Sequence, residues 1–248
     1  MWLCVINMHQ AISYLPAPAA AQHSQPNTMT NKFHYYAATG RGHAIRLALS
    51  AANIPFEDEY PEGGFPPTAE AKDLWRSIGK NTTTNIPMLQ MADGRVFTQS
   101  SAVLRAVARI GGLMPTDEGE LYMTDKLLAD AEDLRGEGYK SFVAWGATEE
   151  AVEAFINKVL PLHFGNLERQ LKESTGDYFI GDSLTIADIA CYDAITNFGS
   201  NRVIGSLDGF ETLKAWVDKV ESNEGIKNYM ASESFAGLWK FGPDTLGK

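Results

Sequence analysis

The sequence predicts an α/β domain followed by an all-helical domain. Between Lys32 and Ile110, short apolar runs alternate with stripes of helical spacing. Beyond Met114-Pro115-Thr116 only the helical spacing persists. The chain has 248 residues, 44% hydrophobic and 21% charged, an ordinary globular composition with room for one large or two small domains.

Lys32–Tyr36 (Lys-Phe-His-Tyr-Tyr) reads as a first strand. Arg41–Ala52 follows as a helix, with Ile45, Ala48, Leu49 and Ala52 on one face. Phe56–Tyr60 is a second strand, and the Pro/Gly-rich stretch Pro61–Pro67 a loop. Ala69–Ile78 predicts a short helix. Met88–Met91 and Arg95–Thr98 flank Asp93-Gly94, a strong hairpin signal. Ser100 opens a helix carrying Val103, Leu104, Val107 and Ala108 on one side. Strand-helix-strand-helix-strand-strand-helix suits a thioredoxin-like sheet.

The second half predicts long amphipathic helices over Glu120–Trp145 and Glu149–Thr175, the latter kinked at Pro161. Gly181–Ile189 reads as a helix start. Thr185 caps it, Asp188 bonds back, and Leu184 with Ile189 forms a hydrophobic staple. Gly209–Ser222 and Gly225–Ala231 are two shorter helices. The predicted division is residues 1–28 as a disordered extension or misplaced start, 29–112 as the α/β domain and 113–248 as the helical domain.

A net charge of −10 argues against a nucleic-acid partner. No apolar run reaches the length of a membrane span, so no membrane partner is expected. Cys4 and Cys191 cannot form a disulfide framework, which fits a reduced, cytoplasmic setting.

The stretch Tyr35-Tyr36-Ala37-Ala38-Thr39-Gly40-Arg41-Gly42-His43-Ala44-Ile45-Arg46, with Asn85-Ile86-Pro87-Met88-Leu89 and Thr98-Gln99-Ser100-Ser101, resembles the tyrosine-type glutathione transferases, nearest the sigma class. The resemblance spans about Asn31 to Met230. It implies the two-domain fold of that family and glutathione as co-substrate, without a metal. It also implies a small hydrophobic electrophile as second substrate and a homodimer.

Residue by residue, the resemblance makes Tyr35 the hydroxyl that donates to the glutathione thiol, with Arg41 supporting it. Tyr36 is the neighbouring alternative, because adjacent strand residues face opposite ways. Asn85, Ile86 and Pro87 align with the segment that pairs with the glutathione cysteine backbone, the proline being cis in that family. This chain has Thr82-Thr83-Thr84-Asn85 where the family has another approach. Gln99 and Ser100 match the grip on the γ-glutamyl end, Ser100 doubling as a helix N-cap. Trp75 and Lys80 resemble residues that bind the glycine carboxylate. Asp133 matches an acidic residue reaching the partner's site, although with Asp130 and Glu132 it also reads as a plain solvated face. His43 stands where the family has glutamate.

The chemistry is sufficient without a metal. A free thiol with pKa near 8.5 is only a few per cent thiolate at neutral pH. A hydrogen bond to a charged acceptor contributes roughly 1.5–3 kcal/mol. At about 1.4 kcal/mol per unit, one such bond lowers the thiol by about one to two units. The expected function is conjugation of glutathione to hydrophobic electrophiles. The alternatives are a glutathione-dependent isomerase of the prostaglandin D synthase kind, a peroxidase, and a non-enzymatic crystallin-like or ligand-binding protein. The tail, with Phe235, Leu238, Trp239 and Phe241, is expected to cover the electrophile pocket or to pack on the helical domain.

Overall fold

The computed structural model describes residues 30–78, 85–142, 148–197 and 205–240. The predicted extension over residues 1–28, Lys80, and Phe241 in the tail lie outside them.

Four strands form one sheet in the order β2-β1-β3-β4. They are β1 (Asn31–His34), β2 (Phe56–Glu59), β3 (Met88–Gln90) and β4 (Val96–Thr98). β1 runs parallel to β2 and antiparallel to β3, and β3 is antiparallel to β4. The Asp93-Gly94 turn closes the last pair, with Gly94 at φ +89°. Strand alternation sets the two faces of the sheet. Phe33 pairs with Leu89, and both enter the main core against α1 (His43–Ala51) and α3 (Ser100–Ile110). One residue over, His34 pairs with Met88, and Met88 packs on the opposite face against α2 (Ala69–Ser77).

The remaining elements are helical. α4 (Glu118–Phe142) starts two residues before its predicted start, because the Asp117 side chain accepts from the amides of Gly119 and Glu120. Pro161 does not simply kink one long helix. α5 (Glu149–Ala154) and α6 (Leu160–Glu173) are joined by a π-helical segment, Phe155–Val159. The Leu160 amide reaches back five residues to the Phe155 carbonyl, just before the proline, which has no N–H to continue the ladder.

α7 (Ile186–Thr196) is buried from Ile186 through Ile195 and forms the axis of the helical half. Asp188 starts it, accepting from the Thr185 amide at 2.9 Å and the Thr185 hydroxyl at 2.8 Å. The same carboxylate takes the Phe179 amide and the Trp216 indole, each at 3.0 Å. Burial raises its pKa and these donors oppose that shift. α8 (Glu211–Glu221), α9 (Glu224–Met230) and α10 (Glu233–Ala236) complete the chain. α9 lies so close to α1 that a Cβ on Gly225 would stand 2.0 Å from the Ser50 carbonyl oxygen.

Candidate active site

The site begins where β1 ends. Tyr35 follows the last strand residue and keeps the alternation of Phe33, so its ring lies against α1 and is buried. A 3₁₀ turn, Gly40–Gly42, then leads into α1. At its centre the Arg41 backbone amide donates to the Tyr35 hydroxyl oxygen at 2.9 Å. Gly42 presses against the ring: a Cβ there would stand 2.5 Å from Tyr35 Cδ1. Only glycine permits that approach without moving the tyrosine.

Burial raises the Tyr35 pKa, while the Arg41 amide and the guanidinium groups of Arg41, Arg46 and Arg135 pull it down. The phenol therefore keeps its proton at neutral pH. Because Oη accepts from Arg41 through a lone pair, the O–H remains a donor. Tyr36 is only half-buried and sets its ring edge-on to Tyr35 and to the exposed Phe65.

The loop from Tyr36 to Thr39 is held from two sides. The wholly buried Arg46 bonds Asp58 at 2.8 Å, the Ala38 carbonyl at 2.9 Å and the Tyr36 carbonyl at 3.2 Å. On the other side the C-terminal tail lies alongside. The Thr39 amide donates to the Trp239 carbonyl and the Trp239 amide to the Ala37 carbonyl, each at 2.9 Å. Phe235 stacks on His43. The tail thus docks on the loop beside Tyr35.

Arg41 lines a narrow crevice with Ser100, Ser101, Glu132 and Arg135. It continues between α3 and α4 into a cavity of about 350 Å³ that includes Asp133. Ile86–Pro87 is cis. Gln99, not Ser100, occupies the N-cap of α3, at φ +70° and without a side-chain cap bond. A glutamine in that region is strained, and such strain gathers at ligand sites. Ser100 is the first helical residue, so its expected capping role falls away.

Two profiles of one family cover most of the chain. Residues 31–109 match the glutathione S-transferase N-terminal domain and residues 132–233 the glutathione S-transferase C-terminal domain. The chain belongs to the glutathione S-transferase family. A glutathione S-transferase class-mu 28 kDa isozyme from Schistosoma japonicum is 29% identical over 70% of this chain and 84% of its own length. The pi-class glutathione S-transferase of Onchocerca volvulus superposes with a TM-score of 0.71 at 23% identity, over 85% of this chain and 96% of that one. Prostaglandin synthase D of Nilaparvata lugens gives a TM-score of 0.66 at 26% identity, over 83% of this chain and 98% of that one.

Within this transferase, Arg41 and Ser100 line one crevice, Tyr35 is joined to it through the Arg41 amide, and Asp133 is exposed in the adjoining cavity. Arg41 meets Tyr35 through its main chain; its side chain is exposed. Trp75 is 3% exposed and packs with Ala71 and Met88 under the sheet, a core position. Asn85 and Gln99 are exposed, Ile86 is half-buried and Pro87 buried.

Sequence reasoning missed Arg135, Asp193 and Asn197. Arg135 is buried on α4 and pairs closely with Asp193 of α7. Burial pushes the Asp193 carboxyl up to about 6 against the pull of Arg135. The signal was present, because Arg135 follows Leu127 and Ala131 at steps of four on the apolar stripe of α4. Among the described residues no group of three or more His, Cys, Asp or Glu could hold a metal ion, and no helix is long and apolar enough to cross a membrane.

Proposed function

We propose that this glutathione S-transferase activates glutathione through the Tyr35 hydroxyl and passes the thiolate to a hydrophobic electrophile. The observation that carries this reading is the 2.9 Å bond from the Arg41 amide to the Tyr35 hydroxyl oxygen. It spends a lone pair of the phenol and leaves the proton for the sulfur. The thiol proton leaves to solvent, and the thiolate attacks the electrophilic carbon, forming the C–S bond as the leaving group, a halide ion for an aromatic halide, departs with its bonding pair.

Residues 29–112 bind glutathione and residues 113–248 supply the electrophile's walls. Gln99 and Ser100 hold the γ-glutamyl carboxylate, where the amides and dipole of the α3 N-terminus favour an anion. The segment Asn85-Ile86-Pro87 pairs with the cysteine backbone like an added strand. Lys80 and, less directly, Trp75 serve the glycine end. A sigma-like homodimer fits the position of Asp133, exposed where the crevice widens. A cytoplasmic location fits the two cysteines, of which Cys191 is buried and unbridged.

The likeness to prostaglandin synthase D supports a second reading, isomerisation on the same thiolate. One panel separates them. An activated aromatic halide, an organic hydroperoxide and a prostaglandin endoperoxide are each offered with and without glutathione. Glutathione-dependent conjugation of the halide at a rate above the other two supports transfer. A dominant endoperoxide turnover supports the isomerase. No glutathione-dependent turnover of any substrate overturns both.

A further inference from the structure

The turn that presents the Arg41 amide is tied to a distant helix. Asn197, the C-cap of α7, donates from Nδ2 to the Gly40 carbonyl at 2.6 Å and to Asp193 Oδ1 at 3.1 Å. The residue is 4% exposed and Asp193 wholly buried. The other oxygen of Asp193 accepts from Arg135. A polar chain therefore runs from α4 through α7 to the first residue of the Gly40–Gly42 turn.

The other anchors of this loop act upstream. Arg46 and Trp239 hold residues 36–39, whereas Asn197 holds Gly40. Gly40 needs an anchor, because its φ of +39° is a conformation its backbone can readily leave. The next residue carries the amide that bonds Tyr35 at 2.9 Å, and the one after touches the ring. A displacement of Gly40 is therefore passed directly to the phenol.

We propose that Asn197 is a positioning residue for the transferase reaction: by fixing the Gly40 carbonyl it sets the Arg41-to-Tyr35 hydrogen bond, and with it how strongly Tyr35 donates to the glutathione thiolate. This inference rests on the proposed role of Tyr35. Its physical basis is that a hydrogen bond accepted by a hydroxyl strengthens the bond that hydroxyl donates, by about 10–30%. The charged groups acting on Tyr35 are Arg41 from the turn, Arg46 from α1 and Arg135 from α4. Asn197 carries no charge itself, and of these groups only Arg135 is linked to it, through Asp193.

The test is a double-mutant cycle on the full-length enzyme with glutathione and an aromatic halide. The pH dependence of kcat/KM and the ultraviolet thiolate band of the binary complex both report the bound thiol. Asn197→Ala should raise that thiol's apparent pKa by about 0.2 to 0.6 unit. The rate at pH 6.5 should fall about 1.5- to fourfold, with the KM for glutathione changed less than about twofold. In a Tyr35→Phe background the same substitution should leave the thiol pKa where Tyr35→Phe put it.

An unshifted pKa in folded Asn197→Ala overturns the proposal, and so do equal shifts in both backgrounds. Asn197→Ser, which removes less volume, carries the same comparison should the alanine variant fail to fold. A thiol pKa as low in Tyr35→Phe as in the wild type would instead reject the Tyr35 reading, a distinct result.

Discussion

The Arg41 amide and the Tyr35 hydroxyl oxygen stand 2.9 Å apart across six residues of chain. The contact distinguishes Tyr35 from its neighbour. Tyr36 makes ring contacts with Tyr35 and Phe65, at the edge of the protein. Replacing Tyr35 with Phe removes the proton donor and keeps the ring. Conjugation of an aromatic halide should fall at least about tenfold, the equivalent of about 1.4 kcal/mol in the transition state. Glutathione affinity should change little, and the thiolate band of the complex should weaken. Full activity in Tyr35→Phe together with loss in Tyr36→Phe would move the role to Tyr36.

Ser100 offers a cleaner separation than its sequence context suggested. A serine at the N-cap would couple ligand binding to helix stability, with about 1 kcal/mol lost on truncation. The cap position belongs to Gln99, so Ser100→Ala should leave the melting temperature within about a degree. The KM for glutathione should rise several-fold, and calorimetric titration reads the same loss directly. A large fall in melting temperature with unchanged affinity would mean that the hydroxyl serves the fold alone.

The sheet, its order of elements and the helical half were legible because each rests on local periodicity. Phe33 and Leu89 alternate with His34 and Met88, and that alternation alone sets the faces. The Thr185–Asp188 start of α7 was legible because capping is a matter of three or four consecutive residues. The place of Tyr35 before Arg41 and Arg46 was read from the family resemblance and not from local periodicity. What stayed hidden is what long separations create. Asn197 lies 157 residues from Gly40, and Trp239 lies 200 from Thr39. Neither partner carries a local mark. Trp75 is ambiguous by pattern in another way, since an indole on a short amphipathic helix serves a ligand or a core equally well, and here it packs with Ala71 and Met88.

His43 makes the stability of this enzyme sensitive to acid. The imidazole is fully buried against Phe235 and Tyr229, and burial lowers its pKa from 6.5 to about 3, with Arg46, Arg135 and Lys240 pushing the same way. The unfolded chain takes up a proton below pH 6.5 that the folded chain refuses until about 3. Its contribution is therefore intact above pH 6.5 and lost as pH falls toward 3. Between pH 7 and 5 the loss is about 2 kcal/mol. Asp193, with its pKa raised to about 6, changes in the opposite sense over part of this range. The wild type should therefore be compared with His43→Phe, which keeps a stacked ring and removes the titration. The difference in denaturant-derived stability between the two should change by about 2 kcal/mol in favour of the variant on going from pH 7 to 5. A constant difference across that range would show that His43 does not stay neutral in the folded state.

The tail carries the last prediction. Trp239 exchanges two backbone hydrogen bonds with Ala37 and Thr39, forming a short parallel bridge beside the loop that follows Tyr35. Ending the chain at Leu238 removes both bonds and leaves His43, Phe235 and Asn197 in place. At about 0.5–1.5 kcal/mol per bond, the loss is about 1–3 kcal/mol. For a chain of this size that corresponds to a fall of roughly 2–10 °C in melting temperature. The loop would keep Arg46 on the Ala38 and Tyr36 carbonyls and Asn197 on Gly40, so the Arg41 amide should still find Tyr35. The truncated enzyme should therefore show the same thiol pKa as the wild type below its lowered melting point. Its KM for the electrophile should change more than its KM for glutathione, because the removed indole is half-exposed beside Ala37 and Ala38. An unchanged melting temperature would show that the bridge does not stabilise the fold. A shifted thiol pKa would show that the tail, and not Asn197 alone, sets the Tyr35 turn.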